Sequence, residues 1–338
     1  MPASKEKQEY IKNELKYKLL RELYKNSRLS LRELAKASGV SHHVVKSILE
    51  KLEEEYKIVY TLELDEEKLG FAKGKLVTIK FGIKPELEEI KSMLLNDPFV
   101  QDLYLAEGDF DLLIYVAGLN EEEFKIWQWN TRMKLGKYKP LFRSSTISKT
   151  VVGFMPLKNK AISIAPNLTE FEKKVLMILN ENSRTKLSEI AAKTKTKDIG
   201  KIIYVIRKMR SLGIIKRFTA LTQKPGKTVI SAYGGILSPL ENHKEYSYRF
   251  FTEATNEKQG QIVSDYNYVA DTVGYFDAFR ICAFEKGEEL AQRGPEMFRK
   301  IFADEQPIIE KAMLTDVLLG LWPFHLDDFE EWKKGFKL

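Results

Sequence analysis

Cysteine is almost absent from this 338-residue chain, in which Cys282 stands alone. One thiol excludes an intramolecular disulfide framework and a Cys-rich zinc site, and it fits a reducing compartment. Histidine is scarce as well: there are four, two of them adjacent as His42-His43. Neighbouring helical residues diverge by about 100°, so this pair does not converge on one ion. Neither a metal nor a cofactor is expected. Long apolar runs are missing too. Stretches such as Val317-Leu318-Leu319-Gly320-Leu321-Trp322 fall far short of the roughly 20 residues that span a bilayer. The opening Met1-Pro2-Ala3-Ser4-Lys5-Glu6-Lys7 has no apolar signal core, so a cytoplasmic chain without membrane attachment is expected. A phosphate-binding glycine loop, His-Glu-x-x-His, a Cys pair and an ordered Ser/His/Asp set are all lacking, which removes the common catalytic signatures.

What remains is 43% hydrophobic and 30% charged, the balance of a soluble, core-forming chain long enough for two to four domains. The net charge of +7 is unevenly spread. Residues 1–60 hold 13 Lys/Arg against 9 Asp/Glu, and residues 168–218 hold 13 against 5, giving +4 and +8. Residues 61–167 balance at 15 against 15, and residues 219–338 hold 14 against 19, or −5. Basic segments alternating with neutral or acidic ones suggest that the first kind meets a polyanion and the second meets protein or small molecules. A plain surplus of lysine on solvated helices is the bland alternative, and it explains +4 better than +8.

The chain also repeats itself. Asn26-Ser27-Arg28-Leu29-Ser30-Leu31-Arg32-Glu33-Leu34-Ala35 returns as Asn182-Ser183-Arg184-Thr185-Lys186-Leu187-Ser188-Glu189-Ile190-Ala191. Gly108-Asp109-Phe110-Asp111 pairs with Gly274-Tyr275-Phe276-Asp277, and Val152-Gly153-Phe154-Met155-Pro156 with Leu319-Gly320-Leu321-Trp322-Pro323. A repeat of this length is a two-domain unit used twice, with a join of little periodicity around Lys158–Asn167.

The basic segments read as helix-turn-helix. Leu15, Leu19, Leu20 and Leu23 lie on one helical face; Ser30, with Glu33, caps a short helix; Gly39 turns the chain; Ser41 caps a third helix with Val44, Val45, Ile48, Leu49 and Leu52 inward. Its outward start presents Ser41, His42, His43 and Lys46, the part that a recognition helix inserts into the major groove. In the second segment Thr169 precedes the first helix and Asp198 or its neighbours cap the third. Lys195, Lys197, Lys201, Tyr204, Arg207 and Lys208 crowd that helix and its approach, a density able to neutralise phosphates and read guanine edges. The turn Lys193-Thr194-Lys195-Thr196-Lys197 lacks a glycine. Strand-like runs Tyr56–Leu64 and Ile214–Leu221 would supply the wings.

The intervening segments read as β-α-β-β-α-β, a ferredoxin-like order. The first has strands near Lys75–Phe81, Val100–Ala106, Phe110–Ala117 and Ser144–Gly153, with helices carrying Leu87, Ile90 and Leu94, then Phe124, Trp127 and Met133, inward. The second has strands near Thr228–Ile236, Tyr268–Val273, Ala278–Glu285 and Ile308–Leu321, and helices near His243–Thr255 and Leu290–Phe302. Gly108 and Gly274 are turn glycines first, and Asp109 and Asp111 turn-formers at a solvated tip. Trp127, Trp129, Trp322 and Trp332 read as core or interface anchors. The expected fold is α+β. Winged helix-turn-helix domains at 1–64 and 168–221 alternate with ferredoxin-like domains at 65–157 and 222–338.

This combination resembles the Lrp/AsnC (leucine-responsive) family of transcription regulators. Leu168-Thr169-Glu170-Phe171-Glu172-Lys173-Lys174-Val175-Leu176, Asn182-Ser183-Arg184, Gly213-Ile214-Ile215-Lys216-Arg217-Phe218-Thr219-Ala220 and the two Gly-x-Phe-Asp turns carry the likeness. It implies double-stranded DNA as partner, assembly through the sandwich sheets, and a small effector such as an amino acid near Gly108, Asp109, Asp111, Gly274 and Asp277. Two copies in one chain depart from the usual plan and allow either a homo-oligomer or an intrachain pseudo-dimer reading an asymmetric operator. A regulator rather than an enzyme is expected. The alternatives are a sirohaem-decarboxylase-like enzyme on the same fold, with His243, Arg249, Tyr275 and Arg280 available, and a protein-interaction module. In the latter the first head, ending in Glu53-Glu54-Glu55, would be degenerate.

Overall fold

Local chemistry starts and stops the helices where the sequence places the signals. Ser30 accepts from the N–H of Glu33 while the Glu33 carboxylate accepts from the N–H of Ser30, and Thr169 and Glu172 repeat that box. Ser41 and Asp198 cap the two third helices by accepting from Val44 and Lys201 N–H. The computed structural model describes residues 15–16, 18–222, 229–236, 266–284 and 308–319.

In chain order these hold α1 (18–25), α2 (Leu31–Ser38), α3 (His42–Tyr56), β1 (Ile58–Leu64) and the short α4 (Glu66–Leu69). Then come β2 (Lys75–Phe81), α5 (Leu87–Leu94), β3 (Val100–Gly108), β4 (Leu112–Val116), α6 (Glu121–Lys134), β5 (Pro140–Val152) and α7 (Asn159–Ile164). After these lie α8 (Glu170–Glu181), α9 (Leu187–Thr194), α10 (Ile199–Ser211) and β6 (Ile215–Thr222). The described part closes with β7 (Val229–Ile236), β8 (Tyr266–Gly274), β9 (Ala278–Phe284) and β10 (Ile308–Leu319). The join expected to lack periodicity contains α7, which buries Ala161 and Ile162. The expected helices near His243–Thr255 and Leu290–Phe302 lie outside the described residues.

Among the described residues the elements sort into two units: those up to residue 68 with 168–222, and 69–167 with those from 229 to 319. In the helical unit the two runs expected as separate wings instead pair with each other. β1 and β6 run antiparallel from Ile58↔Thr222 to Leu64↔Ile215. Leu62 and Phe218, directly opposite, are both buried, and Thr219 and Thr61 hydroxyls donate to the carbonyls of Tyr24 and Asn180.

In the other unit eight strands close a barrel in the order β10-β3-β4-β2-β5-β8-β9-β7. The first four-strand set, β3-β4-β2-β5, packs Val77, Ile79, Leu103, Leu112 and Ile114 with Ile90 and Leu94 of α5 and Phe124 and Trp127 of α6. Burying those apolar side chains, at about 25 cal/mol per Å², is the main term holding the helices to the strands. The β8-β9-β7-β10 set repeats the strand order, and the sets join through β5–β8 and β10–β3. Closure leaves no unpaired edge, which removes the exposed backbone that promotes edge-to-edge association. Three side chains expected inward face solvent instead: Val44, Leu87 and Met133 are 42%, 37% and 66% exposed. Val44 is one 100° step from buried Val45, Met133 is two steps past buried Thr131, and Leu87 is the first residue of its helix.

Candidate nucleic-acid interface

The first third-helix, α3, buries Val45, Leu49 and Leu52, and this rolls Ser41, His42, His43, Lys46 and Ser47 outward. The His42 and His43 rings lie 3.9 Å apart, tilted against each other. Ser41 is the cap, and Lys46 lies 3.8 Å from Glu50 in an exposed pair that weakens its positive field. Of the three acids at the helix end, Glu53 accepts from the Tyr60 hydroxyl at 2.5 Å. Burial first, then that contact with Glu53, pushes the Tyr60 phenol well above its ordinary value.

The second, α10, buries Ile202, Val205 and Met209 and exposes Lys201, Tyr204, Arg207, Lys208 and Arg210. Lys195 and Lys197 are exposed on its approach. Lys195 solves the missing-glycine problem: it adopts the left-handed conformation, φ 56 and ψ 32, that Gly39 holds in the first turn, φ 74 and ψ 21. Its N–H closes α9 on the carbonyls of Ala191 and Ala192. These cations are not equivalent. Lys208 is held 2.7 Å from the buried carboxylate of Glu172, which also accepts from Thr169. Burial pushes the Glu172 carboxyl up, but Lys208 and Thr169 outweigh it and hold it below the ordinary carboxylate value. Lys201 rests over the Phe171 ring at 4.3 Å. Exposed Ile199 and Val44, at the start of the two helices, are apolar groups able to meet a thymine methyl; the sequence pattern places Val44 inward and does not mark Ile199.

The Asn-Ser-Arg repeat lies elsewhere than on these faces. Ser27 N–H donates to Phe218 O, and Ser183 N–H to Tyr60 O. The Ser27 and Ser183 hydroxyls, both fully buried, share a hydrogen bond of 2.6 Å. Arg28 donates to Thr185 O and Arg184 to Leu29 O, so each arginine reaches the other stretch. The signal was legible as a repeat, but its role as a clamp was not, because nothing local reveals which segments meet.

The Gly-x-Phe-Asp turns sit on the barrel's two seams. Gly108 has φ 145 and lies against Lys311 and Ala312; Gly274 has φ 141 and lies against Ser144 and Ser145. A Cβ at either would come within 2.4 Å of Lys311 O or 2.6 Å of Ser144 O, so close approach as well as positive φ demands glycine. The tips are exposed, as expected, yet their acids are engaged. Asp109 accepts from Lys311 N–H at 2.8 Å, and Asp111 accepts from Phe81 N–H and the Lys80 ammonium. Asp277 accepts from Thr272 N–H across the hairpin with its carbonyl, and its own N–H donates to Gly235 O of β7. Beside the turns Arg143 meets Glu310 at 2.5 Å, and the Tyr275 hydroxyl donates to the same carboxylate. Arg280 is buried, donating to the carbonyls of Ala270 and Phe279; His243 and Arg249 lie outside the described residues.

Among the described residues no group of three or more His, Cys, Asp or Glu could hold a metal ion, and no helix is long and apolar enough to cross a membrane. The profile described as winged helix-turn-helix DNA-binding matches residues 12–55. An uncharacterized HTH-type transcriptional regulator of Pyrococcus abyssi is 31% identical over 112 residues, which cover 33% of this chain and 76% of that protein. The HTH-type transcriptional regulator LrpA of the same organism is 34% identical over 104 residues, 30% of this chain and 72% of its own. The chain belongs to the Lrp/AsnC family of HTH-type transcriptional regulators. A solved structure, the siroheme decarboxylase NirDL, shares the fold over 95% of this chain and 97% of its own, with a TM-score of 0.60 at 15% identity.

Proposed function

We propose that the chain is a sequence-specific DNA-binding transcription regulator that contacts double-stranded DNA through α3 and α10, with α10 carrying most of the phosphate contacts. The observation that carries this is the exposed set Lys201, Tyr204 and Arg207 on a helix whose opposite face is buried, with Lys195 and Lys197 exposed on its approach. Cations so placed release counterions from DNA, a term that steepens with every phosphate met. On α3 the contributors are Ser41, His42, His43 and Lys46, opposed by the Lys46–Glu50 pairing. Lys208, tied to Glu172, supports the helix rather than the DNA.

In this reading the chain holds two copies of one plan, with modules at 1–64, 65–157, 168–221 and 222–338, and the copies pair within the chain. The β1–β6 ribbon, the Ser27–Ser183 contact and the closed barrel support that pairing. The two heads differ in charge, so the operator is asymmetric; a selection returning only perfect palindromes contradicts this. An amino acid or other small effector would act at the seam of Gly108, Asp109, Asp111, Gly274 and Asp277, competing with Lys311 N–H for Asp109. The protein acts without catalysis, and titration with sirohaem leaves its absorption spectrum unchanged. Fluorescence anisotropy with duplex DNA over a salt series tests the reading.

A further inference from the structure

Helix α6 has apolar side chains on two sides and buries one of them. Phe124, Trp127 and Thr131 face inward. On the other side Ile126, Trp129 and Met133 are 55%, 64% and 66% exposed. Their spacing of three and four places them in one stripe over about two turns. An exposed run of large apolar side chains that includes a tryptophan is the composition of an interface centre, not of a solvated helix.

Charge decides what fits the stripe. The first turn of α6 is Glu121, Glu122 and Glu123, and the last holds Arg132 and Lys134. Glu121 is paired with Lys75 at 2.6 Å, and Glu123 closes the box on Asn120. Glu122, one turn before Ile126, is exposed at the acidic end of the stripe, and Arg132 and Lys134 are exposed at the basic end. A face acidic at one end, apolar in the middle and basic at the other is complementary to itself turned end for end.

We propose that α6 is a self-association surface, on which the α6 of a second copy of this chain packs antiparallel about a twofold axis near Trp129. Glu122 of each copy then approaches Arg132 and Lys134 of the other, and the two helix dipoles oppose. Such a contact uses the same patch twice and closes at two copies. The inference does not rest on the DNA-binding reading, because α6 lies in the barrel unit and carries none of the residues assigned to DNA.

Sedimentation velocity on the full chain, from about 1 to about 100 μM, tests it. The wild type forms a dimer within that range, and W129E/M133E remains monomeric. E122K weakens dimerisation about tenfold, and E122K/K134E recovers most of the loss, as a charge pair does in a double-mutant cycle. All these side chains are exposed, so circular dichroism and thermal melting stay at the wild-type values and separate lost association from lost folding. A wild type monomeric throughout, an oligomer indifferent to W129E/M133E, or an E122K defect that K134E does not repair overturns the proposal.

Discussion

Ser27 Oγ and Ser183 Oγ meet 2.6 Å apart although 156 residues separate them, and both side chains are fully buried. The same tripeptide, Asn-Ser-Arg, thus meets itself at the centre of the helical unit. Ser27→Ala leaves the Ser183 hydroxyl without this partner and costs about 1–2 kcal/mol. S27A/S183A removes both groups and costs less than the sum of the single changes, by 0.5 kcal/mol or more on the order of measured couplings. Urea denaturation of the four proteins measures this; strict additivity contradicts the pairing.

Arg143 on β5 and Glu310 on β10, 167 residues apart, carry opposite charges in contact at 2.5 Å. Their side chains are 19% and 13% exposed, so the pair is only partly screened. Arg143→Glu sets two carboxylates together and destabilises by about 2–3 kcal/mol, and R143E/E310R restores most of it. Thermal melting of the three variants checks the rescue.

At the seams, Gly274→Ala places a Cβ 2.6 Å from Ser144 O at φ 141. The strain of the backbone alone costs about 1–3 kcal/mol, before the clash is added. A melting temperature equal to the wild type would show that the turn relaxes freely, against this description.

Glu172 gives a pH signature. Its carboxyl lies below the ordinary value in the folded chain, so its contribution is present above the unfolded value near 4.5 and is lost as pH falls through the folded one. Glu172→Gln destabilises the chain at neutral pH by about 1–3 kcal/mol. It also flattens the loss of stability below pH 4.5, which denaturation at a series of pH values reads.

Much of this was legible in the sequence, and the rest fails for identifiable reasons. Caps, helices and strand order follow from side chains acting within a few residues, as at Ser30, Ser41, Thr169 and Asp198. Pairing partners do not: β1 meets β6 across more than 150 residues, and no local signal separates a wing that folds on itself from one that crosses to its repeat. The cations of α10 were visible as a set, but Lys208 is distinguished from Arg207 only by the buried Glu172 beneath it. Trp129 and Met133 were legible as apolar, but each lies two residues past a buried one, Trp127 and Thr131, and that 200° turn sets them on the opposite side of α6.

DNA binding as a function of salt, by anisotropy with labelled genomic duplexes, tests the central claim most directly. Wild type should bind in the nanomolar to micromolar range, with log K falling linearly in log salt. Lys201→Ala and Arg207→Ala should each reduce the slope by about one, the signature of a lost phosphate contact. Lys208→Ala should leave the slope unchanged and lower the melting temperature instead. Absence of binding at low salt, or a slope that Lys201 and Arg207 do not affect, would contradict the account.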